Sequence, residues 1–235
     1  VLDDKTSLSD SNIWTQCHDK LGRVWFNASS KLGVVTFYGT PVPKGFEVNK
    51  KIQLAGKEAT LSLKSWEGPR GYSCLTDTLQ SPERQEPPRD VVCFSGARTV
   101  ECWTDDGAWT LFGEENGLVA ESNIQSVLLL ENGHLIAGTE AQGIFQSTVP
   151  LRELLRSKGY ERSKRDGADF KAVWGPSTGA PTGDVEYMLL RKGMLWVGTD
   201  KGVLKVDPKD MSLQGSLTSE QGLPDNFAVS LYESP

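Results

Sequence analysis

The sequence predicts an all-β chain: a β-propeller of about four to five four-stranded blades, complete in itself or part of a larger propeller, with one short helical insertion. Three observations predict it. A strand–turn–strand unit recurs, most clearly over Gly193–Asp207, where Met-Leu-Trp-Val-Gly-Thr is followed by Gly-Val-Leu-Lys-Val. The connectors recur too, as Leu8–Asn12, Leu118–Asn123 and Leu223–Asn226. Between them lie apolar, β-branched and aromatic runs bounded by Gly, Asp and Asn, the composition of short strands and tight turns. Four copies averaging about 54 residues fall in the range of propeller-type repeats. Units of this size bury little alone and share a core when packed face to face around an axis.

Residues 1–235 are read as one propeller domain, unit by unit. The first unit, 8–68, opens on an innermost strand, Ile13–His18, and continues through Gly22–Phe26 and Leu32–Val35. It carries Asn27-Ala28 where the other copies have Gly-Thr, and residues 39–60, with Pro41 and Pro43 at their start, read as an insertion. The second unit, 69–118, has strands at Val91–Gly96, Thr99–Trp103 and around Trp109. Its polar, proline-containing stretch 78–90 reads as a loop, and Thr104–Gly107 as a tight Asp-Gly turn, not a calcium loop. The third unit, 119–183, contains Ile124–Leu130, Leu135–Thr139 and Gly143–Phe145. Residues 149–183 read as the longest insertion, with a helix beginning at Pro150 over Leu151–Arg156. Arg162, Lys164 and Arg165 follow, either as a basic contact patch or, with Glu161 and Asp166 interleaved, as a solvated loop. The fourth unit, 184–226, has Val185–Leu190, the Trp196 strand, Gly202–Val206 and the segment around Leu213; a further innermost strand is expected at 227–232. Glycines in the Gly-Thr-x-x-Gly segments are expected to serve the tight turn.

Residues 193–226 closely resemble the two-component-regulator propeller repeat, whose form is Leu-Trp-x-Gly-Thr, Gly-(Val/Leu), a Trp-containing strand, then Gly-Leu-(Pro/Ser)-x-Asn. Residues 90–123 match its second half, and 12–38 and 124–147 its first half. The resemblance implies a β-propeller of the kind found in extracytoplasmic sensor regions of bacterial hybrid histidine kinases. It implies a periplasmic or extracellular location and ligand sensing as the role.

Composition narrows the chemistry. A net charge of −6 gives no reason to bind nucleic acid or anionic lipid, and no apolar run is long enough to insert in a membrane. The opening Val1-Leu2-Asp3-Asp4 lacks the features of a signal peptide. The four cysteines, Cys17, Cys74, Cys93 and Cys102, match no metal spacing, so no metal and no cofactor is expected. Cys93 and Cys102 lie on neighbouring predicted strands, where they either bond or remain separate buried thiols. Asn27-Ala28-Ser29 is a glycosylation sequon.

No nucleophile elbow, phosphate loop or zinc-protease motif is present. His18 beside Asp19 offers half of an acid–base pair, and it also reads as ordinary strand-end polarity. Trp25, Trp109 and Trp196 occupy recurring positions and are expected to pack between blades. Trp14 differs, because its counterpart in the third unit is Gln125. Alternation on an innermost strand places Trp14, Gln16 and His18 together, on a channel wall or between blades. Tyr72, Gln125, Tyr187 and Tyr232 are the candidates from other units. These residues point to a non-catalytic domain that takes a small molecule, glycan or peptide at the channel mouth. A protein-interaction scaffold, bound to another chain or to further blades, is the alternative, favoured by the insertions; a propeller lyase or hydrolase ranks below both.

Overall fold

The computed structural model describes residues 13–28, 31–46, 48–65, 72–79, 87–118, 122–155, 168–180 and 183–232. Among them the chain is all-β, with four antiparallel sheets of four or five strands, very little helix and no closed barrel. It divides into two compact units, residues 1–111 and 112–235.

The N-terminal unit begins with five strands: β1 (Thr15–His18), β2 (Val24–Ala28), β3 (Lys31–Phe37), β4 (Val48–Leu54) and β5 (Lys57–Ser65). Their order is β1-β2-β3-β5-β4, so the sheet has five strands where four were expected. The expected insertion 39–60 is in large part sheet. Pro41 and Pro43 precede β4 and remove none of its ladder bonds, and a two-residue turn at Ala55–Gly56, with φ of 48° and 77°, joins it to β5. One face of the sheet is closed by Phe26, Ala28, Val35, Ala59, Leu61 and Leu63, all buried.

The second sheet runs β6 (Ser73–Leu79), β7 (Arg89–Ser95), β8 (Val100–Thr104) and β9 (Trp109–Phe112), in that order. The expected loop 78–90 is shorter than its composition suggests. Thr78 pairs with Asp90 and Leu79 with Arg89, while 80–86 lies outside the described residues. The Thr104–Gly107 turn forms as expected: the Gly107 amide donates to the Thr104 carbonyl at 2.8 Å. The Thr104 hydroxyl, with Arg89 nearby, holds the Asp106 carboxyl below its ordinary range. Trp25, Leu32 and Val34 of the first sheet pack with Val92, Phe94 and Trp103 of the second. Trp25 is fully buried, whereas Trp109 is half-buried with the Lys64 ammonium 3.7 Å from its ring centre.

Two disulfides lie in this unit, Cys17–Cys74 and Cys93–Cys102, and no cysteine is free. Cys93 and Cys102 face each other directly across β7 and β8, so the reading as separate thiols is overturned. The Cys17–Cys74 bond joins residues 57 apart in sequence and was not foreseen. Asn27 is fully buried, which closes the sequon to a glycan.

The C-terminal unit holds β10 (Ile124–Leu129), β11 (Leu135–Thr139), β12 (Gly143–Ser147), α1 (Leu151–Leu154) and β13 (Phe170–Trp174). Then come β14 (Val185–Arg191), β15 (Met194–Thr199), β16 (Gly202–Val206) and β17 (Leu213–Leu217). Both sheets are ordered as in sequence. The stretch 149–183 is therefore more than an insertion, because it supplies β13; the basic loop with Arg162, Lys164 and Arg165 lies outside the described residues. Ile136, Ile144 and Trp174 of one sheet pack against Val185, Met188, Leu195 and Val197 of the next. Trp196 is half-buried and carries Lys205 over its ring.

The recurring Gly-Thr glycine proves to matter for close approach. A Cβ at Gly138 would run into Val185 and Met188, and one at Gly198 into the Ala228 carbonyl. The expected strand 227–232 does not form. Its Ala228 amide donates to the Thr199 carbonyl at 2.9 Å, but no ladder follows, and Phe227, Val229 and Tyr232 stand exposed. A strand exists only as a paired ladder, and nothing among the described residues pairs with this one.

Candidate functional site

The first strand of each sheet enters at an equivalent register. Thr15 pairs with Asn27, Ser73 with Ser95, Ser126 with Gly138, and Tyr187 with Gly198. The residue just before each pair is Trp14, Tyr72, Gln125 or Glu186. Trp14 and Tyr72 extend their ladders by one bond, donating to the carbonyls of Asn27 (3.0 Å) and Ser95 (3.1 Å). Gln125 and Glu186 are bulged residues, skipped by the register of β10 with β11 and of β14 with β15. Trp14 and Gln125 thus each stand one residue before the pair, Trp14 bonded into its ladder and Gln125 in a bulge, and the residue at that place in the fourth sheet is Glu186.

Within the N-terminal unit, β1 alternates in exposure. Trp14, Gln16 and His18 are exposed, while Thr15 and Cys17 are half-buried. The structure therefore brings Trp14, Gln16 and His18 onto one face of a strand, with an aromatic plate, an amide and an imidazole in succession. The backbone beneath them is held from both sides. Cys17 is bonded to Cys74 of β6, and the Thr76 hydroxyl donates to the His18 carbonyl at 2.7 Å. Tyr72, exposed like Trp14, stands at the start of β6.

Asp19 closes the strand. Its carboxylate accepts from the backbone amides of Leu21 and Arg23, from Arg23 Nε at 2.5 Å and from Trp25 Nε1 at 2.7 Å. The Arg23 guanidinium lies 5.4 Å from the ring centres of both Trp25 and Trp103. Both charged groups are buried, and their desolvation is offset by this complete set of partners. The Asp19 carboxylate is thus committed to Arg23 and Trp25, which leaves the His18–Asp19 neighbour a structural feature and not an acid–base pair.

The C-terminal unit presents different chemistry at its equivalent positions. Gln125 and Tyr187 are half-buried, and Tyr187 belongs to the pair after the bulge, so the two are not equivalent. Tyr232 lies in the unpaired segment, 87% exposed. What sequence reasoning missed is an acidic group. Asp200 Oδ1 accepts from the Asp184 amide at 2.9 Å, and the Asn123 side chain donates to Glu140 at 2.8 Å. Burial, then the charges of Asp200 and Glu140, raise the Asp184 carboxyl above its ordinary value. Burial, then Asp184, Glu140 and Asp200, do the same to Glu186. The signal was present in the acid after each Gly-Thr, Glu140 and Asp200. Among the described residues no three His, Cys, Asp or Glu side chains come together as a metal site.

No family model matches the chain, and no curated protein matches it. Solved structures do. PorZ of Porphyromonas gingivalis, described as an essential bacterial surface component of the type-IX secretion system, aligns at a TM-score of 0.58 and 14% identity, over 98% of this chain and 31% of its own. The Nup170 N-terminal domain of Chaetomium thermophilum, solved with Nup53, aligns at 0.55 and 9% identity, over 92% and 30%. The extracellular domain of a B. thetaiotaomicron protein described as a candidate one component system aligns at only 0.43 and 14%, over 88% and 28%, and carries no weight below. The chain spans about a third of the length of the solved structures it matches. At these identities the likeness is one of fold: this chain is similar to part of larger proteins, one at a bacterial surface and one seen with a bound protein partner.

Proposed function

We propose that this chain is a non-catalytic recognition domain of propeller type, acting outside the cytoplasm, whose ligand-contacting surface is the exposed face of β1. The observation that carries the reading is the grouping of Trp14, Gln16 and His18 on a face whose backbone is fixed by Cys17–Cys74 and by Thr76. A strand with a fixed backbone that exposes a ring and two hydrogen-bonding side chains supplies stacking and directional contacts with little backbone ordering on binding. Tyr72, at the matching position of β6, extends the surface in the same unit. A small molecule, glycan or peptide fits this chemistry. Two disulfides support an oxidising compartment. Among the described residues no helix is long and apolar enough to cross a membrane.

The test is a melting-temperature screen of the intact chain against glycans, metabolites and short peptides, run beside the Trp14→Ala/His18→Ala double variant. At least one class is expected to raise the melting temperature of the parent, and the variant is expected to lose that rise. If no class shifts the parent, or the variant keeps the full shift, the reading fails.

A scaffold role is the second reading. The β4–β5 hairpin supports it, since Tyr38 (93% exposed), just before the expected insertion, and Val42 within it lead into that hairpin.

A further inference from the structure

The two disulfides of the N-terminal unit differ in what they join and in how solvent reaches them. Cys93–Cys102 ties adjacent strands of one sheet, and both residues are fully buried. Cys17–Cys74 ties the first strand of one sheet to the first strand of the next, and both residues are half-buried. β1 is only four residues long and lies at the edge of its sheet, paired to β2 alone. Gln16 and His18, on either side of Cys17, are exposed. Exchange requires a thiolate to reach a sulfur, so access separates the two bonds.

We propose that Cys17–Cys74 is a reducible clamp: an external dithiol opens it while Cys93–Cys102 stays closed, and opening removes the covalent tie between β1 and β6. One thiolate of the dithiol attacks a sulfur of the bond and forms a mixed disulfide, expelling the other cysteine as thiolate. The second thiol of the reagent then displaces the protein sulfur and leaves as the oxidised disulfide. The protein gains two electrons and two protons and ends with two thiols. After opening, β1 keeps its four pairs with β2 and the Thr76 bond to His18, but loses its covalent anchor. Trp14, Gln16 and His18 ride on that strand, so the clamp regulates the surface proposed above; this consequence alone rests on that reading.

The experiment uses the intact chain in native buffer with a dithiothreitol series. Thiols are trapped with a maleimide and mapped by peptide mass spectrometry, and amide hydrogen exchange is followed in parallel. Cys17 and Cys74 are expected to label at least about tenfold faster than Cys93 and Cys102. The amides of Gln16–His18 are expected to exchange about tenfold faster on reduction, with β7 and β8 unchanged. The Cys17→Ser/Cys74→Ser variant should show the fast β1 exchange without reductant. Labelling of all four cysteines together, labelling of Cys93 and Cys102 first, labelling of Cys17 and Cys74 before any reductant, or unchanged β1 exchange would each overturn the clamp. None of these readouts uses a ligand, so they stand or fall apart from the melting screen.

Discussion

Glu186 occupies the bulge where β14 meets β15, two residues from Asp184 and within the field of Glu140 and Asp200. Burial and these like charges raise its folded value above 4.5, and Asp184 is raised by the same causes. The sign follows from linkage. A carboxyl raised in the fold is costlier to ionise there than in the unfolded chain, so its charge destabilises at neutral pH. That penalty is relieved as pH falls through the folded value towards the unfolded one. Glu186→Gln is therefore expected to raise the melting temperature at pH 7, with the gain shrinking as pH approaches the unperturbed carboxyl range; paired thermal melts across pH check it. At this scale the sequence placed Trp14 and Gln125 alike, one residue before the Thr15–Asn27 and Ser126–Gly138 pairs. It did not single out Glu186, because the bulge that sets Glu186 at this same place is a backbone irregularity that side-chain alternation does not reveal. Asp19 shows a second limit. Adjacency to His18 is visible in the chain, but the buried Arg23 and Trp25 donors that hold it are visible only in the fold.

Between strands, Gly138 sets how closely β14 approaches β11 in the C-terminal unit. Gly138→Ala forces a methyl against Val185 and Met188 and is expected to cost about 1–3 kcal/mol. Gly215→Ala on β17 is the control, since its methyl would meet nothing within 4 Å and should change stability by less than about 0.5 kcal/mol. Denaturant melts of both variants decide the matter; equal losses would mean that glycine flexibility, and not the approach of β14, sets the effect. Most strands were legible, because alternation and glycine punctuation are local properties. The β4–β5 hairpin escaped because prolines upstream of a strand resemble prolines within one. Residues 227–232 erred the other way. Phe-Ala-Val-Ser-Leu-Tyr has the composition of a strand, but composition does not provide the partner a ladder needs.

At the level of the whole molecule, the all-β class seen among the described residues was legible from repetition, and PorZ and the Nup170 N-terminal domain are similar to it in fold. The cross-links were not. Cys17 and Cys74 are 57 residues apart, and nothing local announces that their strands meet. Their position has a consequence for a cut chain. Both bridges fall within residues 1–111, and Cys17–Cys74 encloses the Ala55–Gly56 turn. A protease nick in that turn should leave two pieces that migrate as one in non-reducing electrophoresis and part only when thiol reagent is added. A nick at the Lys192–Gly193 turn has no bridge around it, so its fragments should separate in denaturant at once. One half of the polypeptide thus survives a broken backbone as a single molecule, and the other does not.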